Sequence, residues 1–164
     1  MFSGQTLLVI GGLVLLTFAM LTFYTSEGNT TTMTIFNEAL ITATGIGQTV
    51  IEEMAQKAFD ENTIDQVVDS PDSLTLPADL GPDSAPVNEI TIDLYDDLDD
   101  YNGYTRTDSL SRLGNFHVKV SVSYVKYEQP DSIVYTRTFY KQAEVTVTNE
   151  FMVDTLTLNY TASY

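Results

Sequence analysis

The chain has 164 residues, of which 43% are hydrophobic and 18% are charged, a length that allows one domain with a modest core. Seven basic residues against 23 acidic residues give a net charge of -16, which argues against nucleic-acid binding because phosphate affinity is built from Lys and Arg. The chain has no cysteine, so disulfides, thiolate metal sites and thiol nucleophiles are excluded. With one histidine, His117, most triad and metal chemistry also lacks its usual groups. Composition therefore predicts a protein that is not an enzyme.

The first segment, residues 1–25, contains no charged side chain, and an apolar run extends from Leu7 to Tyr24. As a helix, these 18 residues would span about 27 Å, close to the roughly 30 Å of a bilayer core. A buried core helix and a cleaved secretory signal are the alternatives. The first does not suit so small a domain, and the second normally begins with basic residues. We favour a helix that spans a membrane or packs in an assembly.

A second helical pattern occupies residues 26–59. Gly28 and Asn29 stand among serine and threonine residues, which predicts a break in the helix near residues 26–31. Beyond the break, apolar residues recur at spacings of three and four and predict an amphipathic helix that ends near Phe59. Its apolar face comprises Met33, Phe36, Leu40, Ala43, Gly47, Val50, Met54 and Ala58.

Residues 60–114 are predicted to be an irregular acidic region. They hold 14 of the 23 acidic residues, and four prolines exclude a long helix through the middle. A short strand is predicted at residues 88–93, followed by a turn that is dense in carboxylates. Five of the turn's side chains offer the oxygen ligands that Ca²⁺ prefers, namely Asp96, Asp97, Asp99, Asp100 and Asn102. The alternative is a solvated acidic loop with no cofactor.

Residues 115–164 are predicted to form an antiparallel sheet. From Phe116 to Tyr124 apolar and polar residues alternate, which predicts a strand with one buried face and with His117 on the exposed face. Glu128–Asp131 is predicted to be a turn, residues 133–147 one long strand, and residues 156–160 a last strand. Three or four strands then need a cover for their apolar face, and the amphipathic helix provides it. The expected class is α+β, with residues 32–164 as one globular domain.

The segment Gln5-Thr6-Leu7-Leu8-Val9-Ile10 resembles the apolar start of mature type IV pilins and of the pseudopilins of type II secretion. The order of a long N-terminal helix, a variable loop and an antiparallel sheet resembles that family along the whole chain. The Asp-Asp-Leu-Asp-Asp-Tyr-Asn-Gly run is also similar to acidic stretches of pilin-like proteins.

The resemblance implies which residues mediate assembly. They are Met1, Gln5, Leu7, Leu8, Val9, Ile10, Gly11 and Gly12. Met1 would be the mature N-terminus, and Gln5 would stand where the family has a glutamate that neutralises a neighbouring subunit's amine. Alternatively, cleavage after Gly4 would make Gln5 the terminus and would place Val9 at the glutamate position. The C-terminal disulfide common in the family is excluded here.

The function that the resemblance implies is that of a structural subunit of an extracellular, type IV pilus-like filament. Its partners would be copies of itself, the pilus assembly machinery and, before assembly, the cytoplasmic membrane, with no nucleic acid. Two alternatives stay open: a minor subunit or pseudopilin of a secretion system, and a single-pass anchored binding module with a Ca²⁺ site.

Overall fold

The computed structural model describes residues 3–83, 89 and 91–164, with the backbone alone at residues 28–31. The chain divides into two compact units, Met1–Glu38 and Ala39–Tyr164. The first unit consists of the N-terminal part of helix α1 (Gly4–Met54). The second unit contains the rest of that helix, an irregular acidic region and an antiparallel sheet, which gives the expected α+β class.

The predicted helix break at Gly28 and Asn29 is wrong, because the backbone is helical at every residue from Gly4 to Met54. One glycine inside a helix costs only about 1 kcal/mol relative to alanine. Once a helix has nucleated, propagation through a few weak helix formers is far less costly than starting it again. The low propensity of residues 26–31 is therefore overridden by the strong helix formers on both sides.

The end of α1 also differs from the prediction. The helix ends at Met54, five residues before Phe59, because the chain turns to pair with the acidic region. The amide of Ala58 donates to the carbonyl of Asp96 at 3.0 Å, and the amide of Leu98 donates to the carbonyl of Ala58 at 3.0 Å. These bonds make a short parallel bridge, so Phe59 is buried as part of the core and not as a helical residue.

The sheet contains five antiparallel strands in the described part of the chain. They are β1 (Thr105–Leu110), β2 (Gly114–Lys126), β3 (Gln129–Val134), β4 (Tyr140–Asn149) and β5 (Leu156–Ser163). The order is β1-β2-β4-β5, and β3 pairs with the C-terminal end of β2. The predicted alternation in β2 is confirmed: Phe116, Val118, Val120, Val122 and Tyr124 are all buried.

Among the described residues the sheet has five strands, against the three or four predicted, and β3 begins at Gln129, inside the predicted turn Glu128–Asp131. Residues 133–147 are not one strand, because β3 and β4 pair with opposite edges of β2 and residues 135–139 cross between them. The hydroxyl of Thr138 fixes this crossing: it lies 2.8 Å from the carbonyl of Val125 and accepts the amide of Tyr140 at 3.2 Å. Strand β1 was not predicted because its sequence, Thr-Arg-Thr-Asp-Ser-Leu, lacks an apolar alternation.

The strand predicted at residues 88–93 is also wrong where it can be described. Asn88 and Ile90 lie outside the described residues, and Ile92–Leu94 is a 3₁₀ turn. Three more 3₁₀ turns, Glu61–Thr63, Pro71–Ser73 and Asp99–Tyr101, occur in the described acidic region. Nearby, the backbone of Glu89 is engaged by Asp83, whose carbonyl accepts the Glu89 amide at 3.0 Å.

Within the second unit, the C-terminal part of α1 covers the apolar face of the sheet. Ala39, Ala43, Val50 and Met54 are buried there. Gly47 marks the closest approach, because a Cβ at this position would lie 2.7 Å from Leu158 Cδ1 and 3.5 Å from Val147 Cγ2. Met33, which was assigned to this apolar face, is 69% exposed and does not contribute to the core.

This contact predicts unequal effects at two helical glycines. We expect Gly47→Leu to destabilise the fold by about 1–3 kcal/mol, because the added side chain overpacks the helix–sheet contact. Gly45→Leu is the matched control, since a Cβ at Gly45 meets no atom within 4 Å. Urea denaturation of the full chain in detergent measures both. Equal unfolding free energies for the two variants would contradict the close approach.

Candidate assembly surface and acidic loop

The N-terminal part of α1 presents apolar side chains on all of its sides. An 18-residue window has a mean hydropathy of 2.3, and none of it is buried. The exposed fractions run from 49% at Ile10 to 78% at Leu8. The exposed apolar residues are Leu7, Leu8, Val9, Ile10, Leu13, Val14, Leu15, Leu16, Phe18, Met20, Leu21, Phe23 and Tyr24. A surface of this size is unfavourable in water and is typical of contact with lipid or protein.

The threonine hydroxyl groups of this segment donate hydrogen bonds within the helix itself. Thr17 donates to the carbonyl of Leu13 at 2.8 Å, and Thr25 donates to that of Leu21 at 3.1 Å. Thr22 likewise bonds within the preceding turn. Because these hydroxyls need no outside partner, the threonines do not oppose burial of the helix in an apolar environment.

The predicted assembly residues lie on this surface as far as the structure describes them. Gln5 is exposed at the start of α1, and Met1 lies outside the described residues. At Gly11 and Gly12 a Cβ would meet no atom within 4 Å. Both glycines therefore expose a shallow strip of bare helix backbone, against which no described residue packs.

In the second unit, the acidic loop at residues 96–102 is organised by its own carboxylates. Asp100 Oδ2 accepts the amides of Asp96 at 3.0 Å and Asp97 at 3.2 Å. In return, Asp97 Oδ1 accepts the amide of Asp100 at 3.2 Å. Asp97, Asp99 and Asp100 are buried, so the alternative of a solvated acidic loop does not hold for these three residues.

A buried ammonium group holds this loop to the core. Lys141 Nζ, on β4, donates to Asp60 Oδ2 at 2.8 Å, to the carbonyl of Phe59 at 2.8 Å and to Asp99 Oδ1. It also lies 4.8 Å from the ring centroid of Phe59 and 5.3 Å from that of Tyr124. All three ammonium protons thus have acceptors, as a fully buried lysine requires.

Asp60 receives further donors that fix its position. The amide of Thr75 donates to Oδ2 at 3.0 Å, the amide of Asn62 donates to Oδ1 at 3.1 Å, and the Tyr124 hydroxyl donates to Oδ2 at 3.1 Å. Burial alone would raise the pKa of Asp60, but Lys141 and these bonds lower it below its usual value. Asp60 is therefore a buried anion in the folded protein.

Asn102 is not positioned as a metal ligand. Its Nδ2 donates to the carbonyl of Leu80 at 2.8 Å, and its Oδ1 accepts the amide of Val122 at 3.0 Å. The side chain thus bonds the edge of β2 in place of a neighbouring strand. On one side of it the carbonyl of Tyr104 accepts the amide of Val120, and on the other side strand β3 pairs with β2. The five oxygen ligands predicted from the sequence do not converge on one point, because Asp99 binds Lys141 and Asn102 binds backbone.

A different group of carboxylates does converge. One oxygen each of Glu89, Asp96 and Asp100 lie within 4.8 Å of one another. Glu89 and Asp100 are each 3% exposed, whereas Asp96 faces solvent. Sequence reasoning missed Glu89 because it stood in a predicted strand outside the acidic turn. The signal available in the sequence was that Glu89, a charged residue, precedes Ile90 and Ile92 in a segment rich in turn residues.

Burial and crowding of like charges raise the pKa values of this region. Burial, with the negative charges of Asp99 and Asp100, raises the pKa of Asp97 to about 9. Burial and the adjacent Glu89 carboxylate raise the pKa of Asp100 to about 7. Burial and the charges of Glu89 and Asp83 also raise the pKa of Asp96. The loop therefore holds protons at a pH where exposed aspartates have none.

His117 has no comparable environment. It is exposed on β2, as predicted, and its Nδ1 lies 3.0 Å from the hydroxyl of Thr107 on the paired strand β1.

The Lys141 cluster predicts a large and specific loss of stability. Lys141→Met should lower the unfolding free energy by about 3–5 kcal/mol, because it leaves Asp60 and Asp99 buried without a counter-charge. Lys119→Met, at an exposed position of β2, is the matched control. Urea denaturation followed by tyrosine fluorescence measures both, and a Lys141→Met protein as stable as the control would contradict the assigned contacts.

The raised pKa values predict that stability falls with increasing pH. Asp97 and Asp100 keep protons in the folded protein up to about pH 9 and about pH 7, whereas unfolded aspartates lose them near pH 3.9. The folded state thus binds more protons between these limits, and the unfolding free energy decreases as pH rises through them. Asp60 has the opposite effect, which acts only as pH falls below about 4.

Asp97→Asn tests this assignment, since the amide keeps the Oδ1 acceptor but cannot ionise. We expect the variant to gain stability relative to the parent chain at about pH 8 and to gain less at about pH 5. Asp154→Asn, at an exposed turn, should leave the pH profile unchanged. Parallel profiles for Asp97→Asn and the parent chain would refute the raised pKa.

Comparisons with protein-family models, with curated proteins and with solved structures find no match to this chain.

Proposed function

We propose that this protein is a structural subunit of an extracellular, type IV pilus-like filament, in which the apolar part of α1 packs against the same segment of other copies. The observation that carries the proposal is the all-round exposure of apolar side chains along residues 7–24. A helix that is apolar on every side needs a cover on every side. In a filament, neighbouring helices provide that cover. No catalytic role is proposed.

The two glycines support packing between helices. Gly11 and Gly12 border open space, so no contact among the residues that the structure describes accounts for the missing side chains. Small residues let two helix backbones approach closely in an apolar environment. We therefore assign them to the helix–helix contacts of the filament, with Leu7, Leu8, Val9 and Ile10 around them.

The proposal includes a membrane stage before assembly. The same helix meets the length and hydropathy that a membrane span needs. A subunit would wait in the cytoplasmic membrane, the assembly machinery would extract it, and the helix would exchange lipid for copies of itself at the cell surface. The net charge of -16 suits such a role, since it keeps unassembled subunits apart and repels nucleic acid.

Gln5 favours a second candidate within the same class. An amide accepts a hydrogen bond but cannot neutralise the buried amine of a neighbouring subunit, and an unpaired buried charge is costly. A minor subunit or pseudopilin, which makes few such contacts, tolerates that defect better than a major subunit. A single-pass anchored binding module is the candidate from a different class, because lipid alone would also cover α1.

Electron microscopy of filaments sheared from producing cells tests the proposal. Mass spectrometry of the filament subunit identifies the chain and gives its N-terminal residue, which distinguishes Met1 from Gln5. Filaments that contain this chain would support the structural role. Retention of the protein in the membrane fraction, with no filament containing it, would favour the anchored module.

The glycine variants separate assembly from anchoring. We expect Gly11→Leu and Gly12→Leu to reduce filament yield by about tenfold or more while the protein stays in the membrane, because leucine blocks close approach of helices but not contact with lipid. Gly45→Leu, where a Cβ also meets open space, is the matched control beyond the apolar segment. Sheared filament yield and membrane fractionation are the two measurements. Undiminished filaments in both N-terminal variants would contradict packing through these glycines.

A further inference from the structure

We propose that Glu89, Asp96 and Asp100 form a binding site for a divalent cation of the calcium type. The three carboxylates each offer an oxygen, and these oxygens lie within 4.8 Å of one another. After small side-chain adjustments, a single ion among them can contact all three oxygens at about 2.3–2.6 Å, the distance typical of Ca²⁺–oxygen bonds. This site differs from the one predicted from the sequence, since Asp97, Asp99 and Asn102 are engaged elsewhere.

The independent observation that points to a ligand is an unpartnered oxygen on Glu89. Oε2 of this residue accepts the amide of Asp83 at 3.1 Å. The residue is only 3% exposed, and within the described part of the chain its Oε1 is buried and has no N–H or hydroxyl donor, while the carboxyl groups of Asp96 and Asp100 lie beside Glu89. A buried carboxylate oxygen without a donor is costly. A cation bound by Glu89, Asp96 and Asp100 supplies the missing partner.

The surrounding charges favour a cation over a neutral occupant. Asp83 and Glu61 add negative charge around Asp96, and Lys57 is the cation that partly offsets it. The ammonium of Lys57 also donates to the carbonyl of Tyr95.

The donor set selects among metals. Three carboxylates offer hard oxygen ligands and no nitrogen or sulfur, which suits Ca²⁺ better than Zn²⁺ or Cu²⁺. Asp100 is also oriented as a ligand should be, because its Oδ2 accepts two backbone amides. With three carboxylates and one side open to solvent, we expect a dissociation constant of about 0.1–1 mM, in the range of extracellular calcium modules.

The bound ion would join two parts of the acidic region. Glu89 is hydrogen-bonded to Asp83, whereas Asp96 and Asp100 belong to the loop that Lys141 and the Ala58 bridge hold to the core. A cation thus ties Glu89, and through it Asp83, to a loop that is held to the core. Binding should therefore raise the stability of this region more than that of the sheet.

The test uses the full chain in detergent, at about pH 8 so that the carboxylates are ionised. Terbium is a luminescent substitute for calcium that neighbouring tyrosines sensitise. Tyr95 and Tyr101, which stack edge to face at 5.1 Å, flank the site in sequence. We expect tyrosine-sensitised terbium emission that calcium displaces, and a rise in melting temperature with calcium that EGTA reverses.

Variants assign the signal to the site. Glu89→Gln and Asp100→Asn should each weaken calcium binding by about tenfold or more, whereas Asp154→Asn should leave it unchanged. Gln at position 89 keeps both the acceptor for Asp83 and the size of the side chain, so a folded variant is expected. No displaceable emission in the parent chain would overturn the proposal, and so would equal weakening in all three variants. Binding is measured on the unassembled chain, so its outcome is independent of filament formation.

Discussion

The second unit depends on one buried ammonium group. Lys141, near the start of β4, donates to the backbone that follows α1, to the carboxylate of Asp60 and to the carboxylate of Asp99. The acceptors lie in two parts of the chain, residues 59–60 and Asp99, so that together with β4 the ammonium joins three segments that no regular strand pairing connects. A charge of this kind does not add much net stability over a well-packed apolar core. Its effect is on specificity, because each of the three segments must be in place before the charge is satisfied.

The acidic loop illustrates how this constraint spreads. Its carboxylates are held in the interior at a high electrostatic cost, and protons remain on some of them to reduce that cost. Asn102, at the end of the loop, completes the edge of β2 where neither β1 nor β3 reaches. A segment that looks irregular in sequence thus performs two ordered tasks: it supplies the counter-charge for Lys141 and it covers a strand edge. The same loop brings the carboxylates of Asp96 and Asp100 close to that of Glu89.

How much the sequence could predict depended on the range of the interactions. The alternation from Phe116 to Tyr124 predicted its buried face correctly, because strand geometry alone determines which side chains share a face. Lys141 has the same parity as Ala143, Val145 and Val147, so a charged residue on the buried face was already visible. Its partners were not, since Asp60 and Asp99 lie 81 and 42 residues away. The convergence of Glu89 with Asp96 and Asp100 was missed although they are close in sequence, because Glu89 lay in a predicted strand. Local propensity also misplaced both the helix break and the end of α1.

The threonine hydroxyls of the N-terminal helix have a consequence for how that helix partitions between environments. The hydroxyl groups of Thr17, Thr22 and Thr25 donate their hydrogen bonds to carbonyls of their own helix. Moving the segment from one apolar medium to another therefore neither breaks nor forms a hydrogen bond at these positions. The preference between the two media then rests on dispersion and on the fit of surfaces, which change gradually with shape. At these three positions, packing and not hydrogen bonding therefore decides which apolar medium the helix prefers.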